Sequence, residues 1–235
     1  MATLFLIPTP LGEMPMPDWL APAQLQRVQH LQHFVVETAK VARRHLKTLG
    51  LNTPLQQLWL QELNEHTPDQ AVAALLAPLQ AGHDVGLISD AGCPGIADPG
   101  AKLAKRAHQA GFTVCPLAGP SSIVLALMAS GSDGQRFSFH GYLPADTATR
   151  QQTLKQLEQR SRKEKAAQLF IETPYRNMAM IDSLLQTLAP DTRLTVACDL
   201  TLASETIISQ PVAKWPRNQV DFHKRPALFI VDSTQ

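Results

Sequence analysis

Carboxylate side chains follow three apolar runs of the sequence, within two residues of the point where each run ends. They are Glu37, Asp90 and Glu172. Short apolar runs are typical of buried strands, and α/β sheets bind their ligands at the carboxyl ends of their strands. A carboxylate at such an edge can take a proton from a substrate hydroxyl or stabilise a positively charged ligand. Glu37 and Glu172 are therefore candidates for a general base, and Asp90 is a candidate for contact with a ligand.

The loop that holds Asp90 is unusually long. Residues 89–100 separate the apolar run 85–88 from a helical pattern that begins at Ala101, and they include three glycines and two prolines. Connections between a strand and the next helix usually have about two to six residues. Glycines let the backbone approach a ligand closely, and prolines stiffen the loop. The loop favours a ligand site, although Asp90 is also a residue type that bonds to the backbone of its own turn.

Strands and helices alternate through the first half of the chain. Periodic patterns predict helices at 20–31, 39–49, 68–80 and 101–110, and apolar runs predict strands at 3–7, 33–36, 85–88 and 112–115, with a weaker strand at 55–60. Alternation with short connections predicts a mostly parallel sheet.

The second half has a different pattern. Hairpin-like spacing predicts a mixed sheet from strands at 137–140, 167–171, 194–198, 206–208 and 227–231, with helices at 123–129, 146–165 and one ending at 188. We therefore expect two α/β domains, residues 1–116 with a mostly parallel sheet and residues 117–235 with a mixed sheet. Residues 211–225 are interpreted as a loose surface connection.

Composition limits the class of protein. The formal net charge of +1 gives no bulk electrostatic attraction for nucleic acid, although a local basic patch is compatible with it. The three cysteines are far apart, which fits reduced thiols and gives no zinc signature, so no metal is expected. No basic region with a signal-type apolar run opens the chain, and no stretch is long enough to span a bilayer. We expect a soluble cytoplasmic protein without a membrane partner.

Four turn motifs together carry a family resemblance. They occur in a fixed order over nearly the whole chain: Pro-Thr-Pro-Leu-Gly at 8–12, Ser-Asp-Ala-Gly-Cys-Pro through Asp-Pro-Gly at 89–100, Pro-Leu-Ala-Gly-Pro-Ser at 116–121 and Glu-Thr-Pro-Tyr-Arg at 172–176. In this they resemble the tetrapyrrole (corrin/porphyrin) methylase superfamily. Within it, the chain is most similar to the branch of small-subunit ribosomal RNA 2′-O-ribose methyltransferases.

The resemblance implies a class III methyltransferase fold of two α/β domains, a homodimer, and S-adenosylmethionine held in a cleft between the domains. It implies an enzyme of rRNA processing that methylates a ribose hydroxyl. By position in the motifs, the residues expected to contact the cofactor are Pro8, Pro10, Asp90, Cys93, Pro94, Ser121, Ser122, Phe170, Ile171 and Ala197. The two serines are equally suited to starting the following helix.

A ribose hydroxyl is a poor nucleophile and benefits from a nearby base. The candidates at strand ends or in polar loops are Glu37, Glu65 and Glu172, with His66 given less weight. Paired hydrogen bonds from arginine suit phosphate or carboxylate groups, and Tyr175 fits either a substrate contact or packing between domains. The candidate substrate-binding residues are Arg43, Arg44, Tyr175 and Arg176. A solvated helix face would also account for Arg43 and Arg44.

The run after Glu37 departs from the pattern of the ribosomal RNA branch. That branch has an acidic pair followed by Thr-Arg, whereas this chain reads Glu-Thr-Ala-Lys from residue 37. Two alternatives therefore stay open beside RNA methylation. One is methylation of a small tetrapyrrole-type molecule, and the other is a non-catalytic homologue that binds the cofactor or RNA.

Overall fold

The computed structural model describes residues 2–216 and 219–234, and in it the chain divides into two compact units. Unit 1 is Met1–Ser121 and unit 2 is Ser122–Gln235. The sequence-based boundary between residues 116 and 117 stays a prediction. No helix in the described ranges is both long and apolar enough to cross a membrane.

The helices and strands alternate in unit 1. The strands are β1 Thr3–Leu6, β2 His33–Val36, β3 Trp59–Glu62, β4 Val85–Ile88 and β5 Thr113–Pro116. The helices are α1 Met16–Trp19, α2 Pro22–Gln26, α3 Ala39–Thr48, α4 Asp69–Ala74, α5 Ala77–Gln80 and α6 Gly100–Gln109, with a 3₁₀ turn at Leu55–Gln57.

The described strands of unit 1 form one sheet in the order β3-β2-β4-β1-β5, and every pairing is parallel. The centre of this sheet is apolar on both faces, because all four residues of β4 are buried. Helices α1–α3 contribute to one apolar cluster with β1 and β2, and α4 and α6 contribute to a second cluster. Burial on both faces is typical of an all-parallel sheet. Because the strands are parallel, their carboxyl ends all lie at the same edge of the sheet.

Unit 2 holds a mixed sheet. Its strands are β6 Phe137–Tyr142, β7 Ala167–Ile171, β8 Arg193–Cys198, β9 Thr206–Pro211 and β10 Ala227–Asp232. Its helices are α7 Ser122–Ser130, α8 Thr147–Glu164 and α9 Asn177–Thr187, with 3₁₀ turns at Pro174–Arg176 and Val212–Lys214. The order is β6-β7-β10-β8-β9, with β6 parallel to β7 and the other pairings antiparallel.

Local signals fix the ends of α8. The Asp146 carboxylate accepts a hydrogen bond from the Thr149 N–H at 2.8 Å, which caps the amino end of the helix. Lys165 ends it in the left-handed conformation, at φ +53°. Leu154 is fully buried against the sheet core, where Phe170 and Phe229 stack with ring centroids 5.4 Å apart.

Three predicted elements of unit 1 differ from those observed. The helix expected at 20–31 is shortened to α2, which begins at Pro22 and ends at Gln26. The helix expected at 68–80 is broken into α4 and α5 before Pro78. The strand expected at 55–60 begins only at Trp59 and extends to Glu62.

The interpretation of residues 211–225 as a loose surface connection is wrong for the part that the structure describes. Strand β9 extends to Pro211, and the turn that follows buries Val212 and Trp215 in the core of unit 2. Phe222 is also buried there, at 2% exposure. Positions 217 and 218 lie outside the described residues.

Candidate functional site

Three loops meet at the carboxyl edge of the unit 1 sheet. Thr9, after β1, pairs with Gly92, after β4, through backbone hydrogen bonds of 2.9 and 3.2 Å. The thiol of Cys93 donates to the Pro120 carbonyl, after β5, at 3.3 Å. The loops that the sequence predicted to hold a ligand are therefore in contact with one another.

A carboxylate cluster joins the ends of β2 and β4. The Asp90 N–H donates to Glu37 Oε2 at 3.0 Å. In return, the Asp90 carboxylate accepts the Thr38 N–H at 3.2 Å and the Thr38 hydroxyl at 2.8 Å. Glu62, at the end of β3, accepts the Ala39 N–H at 2.8 Å and so holds the first turn of α3. The structure thus places Glu37 and Asp90 in one hydrogen-bond network.

The setting of Glu37 changes its proton affinity. Burial is the main cause that raises the pKa of this carboxyl group, and the carboxylates of Asp90, Asp98 and Glu65 act in the same direction. The hydrogen bond from the Asp90 N–H opposes them. A carboxyl group with a raised pKa is better matched to accepting a proton near neutral pH than an ordinary one. Glu37 therefore stays a candidate for the general base.

His45 was missed by the sequence analysis. Its ring Nε2 lies 3.2 Å from the Asp90 carbonyl oxygen, and burial lowers its pKa. The neutral ring is therefore favoured, and with Nε2 protonated it donates to that carbonyl. No local pattern identifies this residue, because its partner lies 45 residues further along the chain.

Close backbone packing holds the loops together. Gly92 has φ +76°, a backbone conformation that residues with a Cβ rarely adopt. A Cβ on Gly119 would lie 2.2 Å from Pro8 Cγ, so only glycine lets the turn after β5 approach the turn after β1. Pro8, Pro10 and Pro94 are buried at this edge.

The long loop after β4 is also held from within. Asp98 accepts the Gly95 N–H at 2.9 Å and the Gly100 N–H at 2.6 Å, which ties the middle of the loop and its last residue to one carboxylate. Burial raises the pKa of Asp98, and these N–H groups oppose the shift. The conformation of this loop is thus held by its own hydrogen bonds.

In unit 2, Glu172 is paired rather than free. Its side chain is completely buried, and Oε1 accepts Arg176 Nη2 at 2.6 Å and Nε at 2.9 Å. Its Oε2 is buried without a hydrogen-bond partner among the described residues. A carboxylate held in this way positions Arg176, which is 35% exposed. This geometry favours Glu37 over Glu172 as the base.

A second ion pair at the same edge of unit 2 was missed by the sequence analysis. Asp199 follows β8 directly and accepts Arg225 Nε at 2.8 Å and the Ser204 hydroxyl at 2.9 Å. Burial, with Asp199 beside it, raises the pKa of the Cys198 thiol to about 11, which keeps the thiol neutral. The position of Asp199 after a strand was the same signal that identified Asp90.

Two of the four predicted cofactor residues of unit 2 are buried in its core. The Phe170 side chain is fully buried, and Ala197 is 1% exposed. Ile171 is partly exposed at the end of β7, and Ser122 is the first residue of α7. Any contact of Phe170 with a ligand would therefore be through its backbone.

The remaining predicted residues are exposed. Arg43 and Arg44 lie on the solvent face of α3. The side chains of Glu65 and His66 are 84% and 86% exposed and lie 3.5 Å apart as an ion pair when the histidine is protonated. Tyr175 is 71% exposed. The structure does not join Glu65 to the Glu37 network by a hydrogen bond in the described part of the chain.

Residues 3–215 match the family described as tetrapyrrole (corrin/porphyrin) methylases. The chain belongs to this family. Its predicted fold class and its assignment as a methyltransferase are thereby confirmed.

Several curated relatives carry the name ribosomal RNA small subunit methyltransferase I. The protein of Pseudomonas aeruginosa is 32% identical over 212 residues, which cover 90% of this chain and 71% of that protein. The protein of Escherichia coli O157:H7 is 30% identical over 232 residues, 97% of this chain and 77% of that protein. The protein of Synechocystis is 33% identical, over 86% of this chain and 68% of that protein.

Solved structures share the fold. The methyltransferase CobJ superposes with a TM-score of 0.62 at 16% identity, over 98% of this chain and 93% of that one. The uroporphyrin-III-C-methyltransferase of Thermus thermophilus superposes with a TM-score of 0.56 at 18% identity, over 99% of this chain and 93% of that one. At these identities the likeness concerns the fold alone.

Proposed function

We propose that this protein transfers a methyl group from S-adenosylmethionine to a ribose 2′-hydroxyl of small-subunit ribosomal RNA. The observation that carries the proposal is the Glu37–Asp90 network at the edge of the unit 1 sheet, in a chain whose relatives are named as small-subunit ribosomal RNA methyltransferases. Family membership supplies the reaction class, and the names of the relatives supply the substrate class.

The donor set at this edge fits a cofactor with a positively charged sulfur. Glu37 and Asp90 are half-buried carboxylates, and neither forms an ion pair with lysine or arginine in the described ranges. When bound, S-adenosylmethionine supplies an electrophilic methyl carbon. The residues that would hold it are those that the family resemblance implies: Pro8, Pro10, Asp90, Cys93, Pro94, Ser121, Ser122, Phe170, Ile171 and Ala197.

Glu37 is the proposed general base. Its Oε2 is held by the Asp90 N–H, which fixes the carboxylate while Oε1 receives no hydrogen bond from the described residues. Oε1 would accept the proton of the ribose hydroxyl as the oxygen attacks. Because the displacement is in line, rigid placement of this carboxylate contributes alignment as well as basicity.

Helix α3 is the proposed RNA-binding element beside the base. It begins two residues after Glu37, and four of its five exposed residues are basic. Each phosphate contact by such a side chain releases counterions and so strengthens RNA binding in a salt-dependent way. The basic residues are Lys40, Arg43, Arg44 and Lys47.

The assembly proposed is a cytoplasmic homodimer, supported by an apolar surface on α7. Val124 is 50% exposed and Met128 is 74% exposed, and the two are four residues apart on one side of the helix. Apolar side chains gathered on an exposed surface mark contact sites. A second copy of the chain is the partner that the family resemblance implies.

The test is methyl transfer from radiolabelled S-adenosylmethionine to three acceptors: an in vitro transcript of small-subunit ribosomal RNA, small-subunit particles and uroporphyrinogen. We expect label in RNA or particles, in alkali-resistant dinucleotides, because a 2′-O-methyl group blocks cleavage of the adjacent phosphodiester. Label in uroporphyrinogen alone would replace RNA by a small molecule. Saturable cofactor binding without label in any acceptor would establish a non-catalytic homologue.

A further inference from the structure

An exposed tyrosine of unit 2 lies in a turn that is held by hydrogen bonds and an ion pair. Tyr175 is the central residue of the 3₁₀ turn Pro174–Arg176, and its side chain is 71% exposed. The residue that follows it is fixed by the buried pair with Glu172. Exposed aromatic side chains in a rigid setting lose little conformational entropy when they bind a partner.

A buried asparagine attaches a second loop to this turn. Asn177 is fully buried, and its Nδ2 donates to the carbonyl oxygens of Phe222 at 3.0 Å and Arg225 at 2.7 Å. The Lys224 N–H donates to the Pro174 carbonyl at 3.0 Å. Two loops that are some fifty residues apart in sequence are thus held as one surface.

This second loop places two basic side chains beside the tyrosine ring. Lys224 Nζ lies over the ring, 5.7 Å from its centroid, and the His223 ring meets it edge-on at 6.2 Å. Lys224 has φ +60°, an uncommon conformation for a residue with a side chain. Both basic side chains are exposed. The backbone is held in an unfavourable conformation at the residue that brings its charge to the ring.

We propose that Tyr175, His223 and Lys224 form a stacking site for an unpaired base of the RNA substrate. The ring of Tyr175 would stack on the base, and the two basic side chains would contact the flanking phosphates. Proteins read single-stranded RNA by stacking unpaired bases on aromatic rings while cations follow the backbone. This proposal rests on the proposed function, since the ligand is the RNA that is methylated.

Charge favours RNA over a second copy of this chain as the occupant. In a twofold symmetric contact centred on this surface, the same patch lies opposite itself, so Lys224 would face its own counterpart. Like charges brought together across an interface are unfavourable, whereas a phosphate chain neutralises them. The patch is therefore complementary to a polyanion that carries flat aromatic groups.

The experiment compares Tyr175→Ala with the wild type in steady-state methyl transfer to the RNA acceptor that the wild type methylates. Loss of one stacked base corresponds to about a 5- to 100-fold weaker interaction. We expect KM for RNA to rise within that range, kcat to stay within about twofold, and calorimetric affinity for S-adenosylmethionine to be unchanged. Tyr175→Phe should retain the wild-type KM. The matched control is Phe137→Ala, an exposed aromatic at the start of β6.

Lys224→Gly tests the charge without backbone strain, because glycine adopts positive φ freely. The slope of log KM against log salt should fall by about 0.7 for one lost phosphate contact on single-stranded RNA. Lys165→Gly is the matched control, a lysine at φ +53° at the end of α8. It loses the same charge and should keep the wild-type slope.

The outcomes separate this site from the proposed function. If the wild type methylates RNA but Tyr175→Ala keeps the wild-type KM, the stacking site is wrong and the function stands. A changed affinity for S-adenosylmethionine would assign Tyr175 to the cofactor site instead. Loss of self-association in sedimentation velocity with an unchanged KM would assign the patch to a contact between copies. If the wild type methylates no RNA, both proposals fall.

Discussion

The Glu37 carboxyl group combines a fixed oxygen with a raised pKa. We predict that Glu37→Gln lowers kcat about 10²- to 10⁴-fold, the usual contribution of a general base. The amide oxygen can still accept the Asp90 N–H, so the fold and the cofactor affinity should be retained. Single-turnover methyl transfer to RNA measures the loss.

The same residue predicts the acid side of the pH profile. Burial raises the pKa of Glu37 above the ordinary 4.5, so the active carboxylate is lost as pH falls through a value higher than 4.5. Wild-type kcat should therefore decline on the acid side earlier than an ordinary glutamate would allow. Glu65→Gln is the comparison, because that side chain is exposed. A larger loss from Glu65→Gln would transfer the role of base to Glu65.

Asp90 is expected to act on cofactor affinity. Asp90→Ala removes a charged acceptor and leaves both Thr38 donors without it, so we predict about 10- to 100-fold weaker binding of S-adenosylmethionine. Isothermal titration measures this, with circular dichroism to confirm folding. Thr38→Val is the control, since it removes one hydroxyl bond and keeps the carboxylate. Equal affinity of Asp90→Ala and wild type would remove Asp90 from the site.

For single residues, the sequence was sufficient to predict carboxylates that follow strands. It did not predict the residues that form hydrogen bonds with them. Glu37 and Asp90 were visible because a carboxylate after an apolar run is a local pattern. Thr38, His45 and Arg225 were not, since each acts through a contact with a residue far along the chain. The pairing of Glu172 with Arg176 is a local i, i+4 contact and was within reach of the sequence.

Contact between the turns after β1 and β5 depends on Gly119. A Cβ at this position would lie 2.2 and 2.3 Å from two Pro8 carbons, so Gly119→Ala should displace one of the turns. We predict a loss of unfolding free energy of about 1–3 kcal/mol and weaker cofactor binding. Urea denaturation and calorimetry measure the two effects. Gly134→Ala is the control, because a Cβ there meets nothing within 4 Å.

The turn after β9 is part of the unit 2 core. Trp215 is 7% exposed and packs in the cluster that contains Phe222, so we predict that Trp215→Ala lowers the unfolding free energy by about 3–5 kcal/mol. Lys214→Ala, exposed in the same turn, should change it by less than about 0.5 kcal/mol. Similar midpoints for both variants in urea would show that this segment does not support the core.

The elements that the sequence predicted best are those with continuous apolar runs, such as β2, β4 and β7. Their bounds match the predicted ones because burial on both faces leaves no alternative for such runs. The segment 211–225 was misread because its polar composition hides three anchors. Val212, Trp215 and Phe222 have no regular spacing, and only the tertiary structure shows that they share one core.

Self-association is the prediction for the whole molecule. Met128→Lys places a charge on the exposed apolar side of α7, and we expect the dimer dissociation constant to rise at least about tenfold, because each copy loses a buried apolar side chain. Sedimentation velocity over a concentration series measures it. Ala148→Lys, on the exposed face of α8, is the control for added charge. A dimer unaffected by Met128→Lys would exclude α7 from the contact.

Family and fold class were predictable from four turn motifs in a fixed order, since their spacing spans both units. The strand order was not predictable from any motif. In unit 1 the first strand pairs with the fourth and fifth, and such pairings depend on how helices cover the two faces.

The position of β10 in its sheet has a consequence for synthesis of the protein. Ala227–Asp232 lies between β7 and β8, although it is translated after both of them. Until the ribosome has released these six residues, β7 and β8 each have an unpaired apolar edge. Unit 1 has all its strands once Pro116 has emerged, and can close much earlier. Nascent chains that stop short of Ala227 should therefore be the forms that aggregate and that chaperones retain.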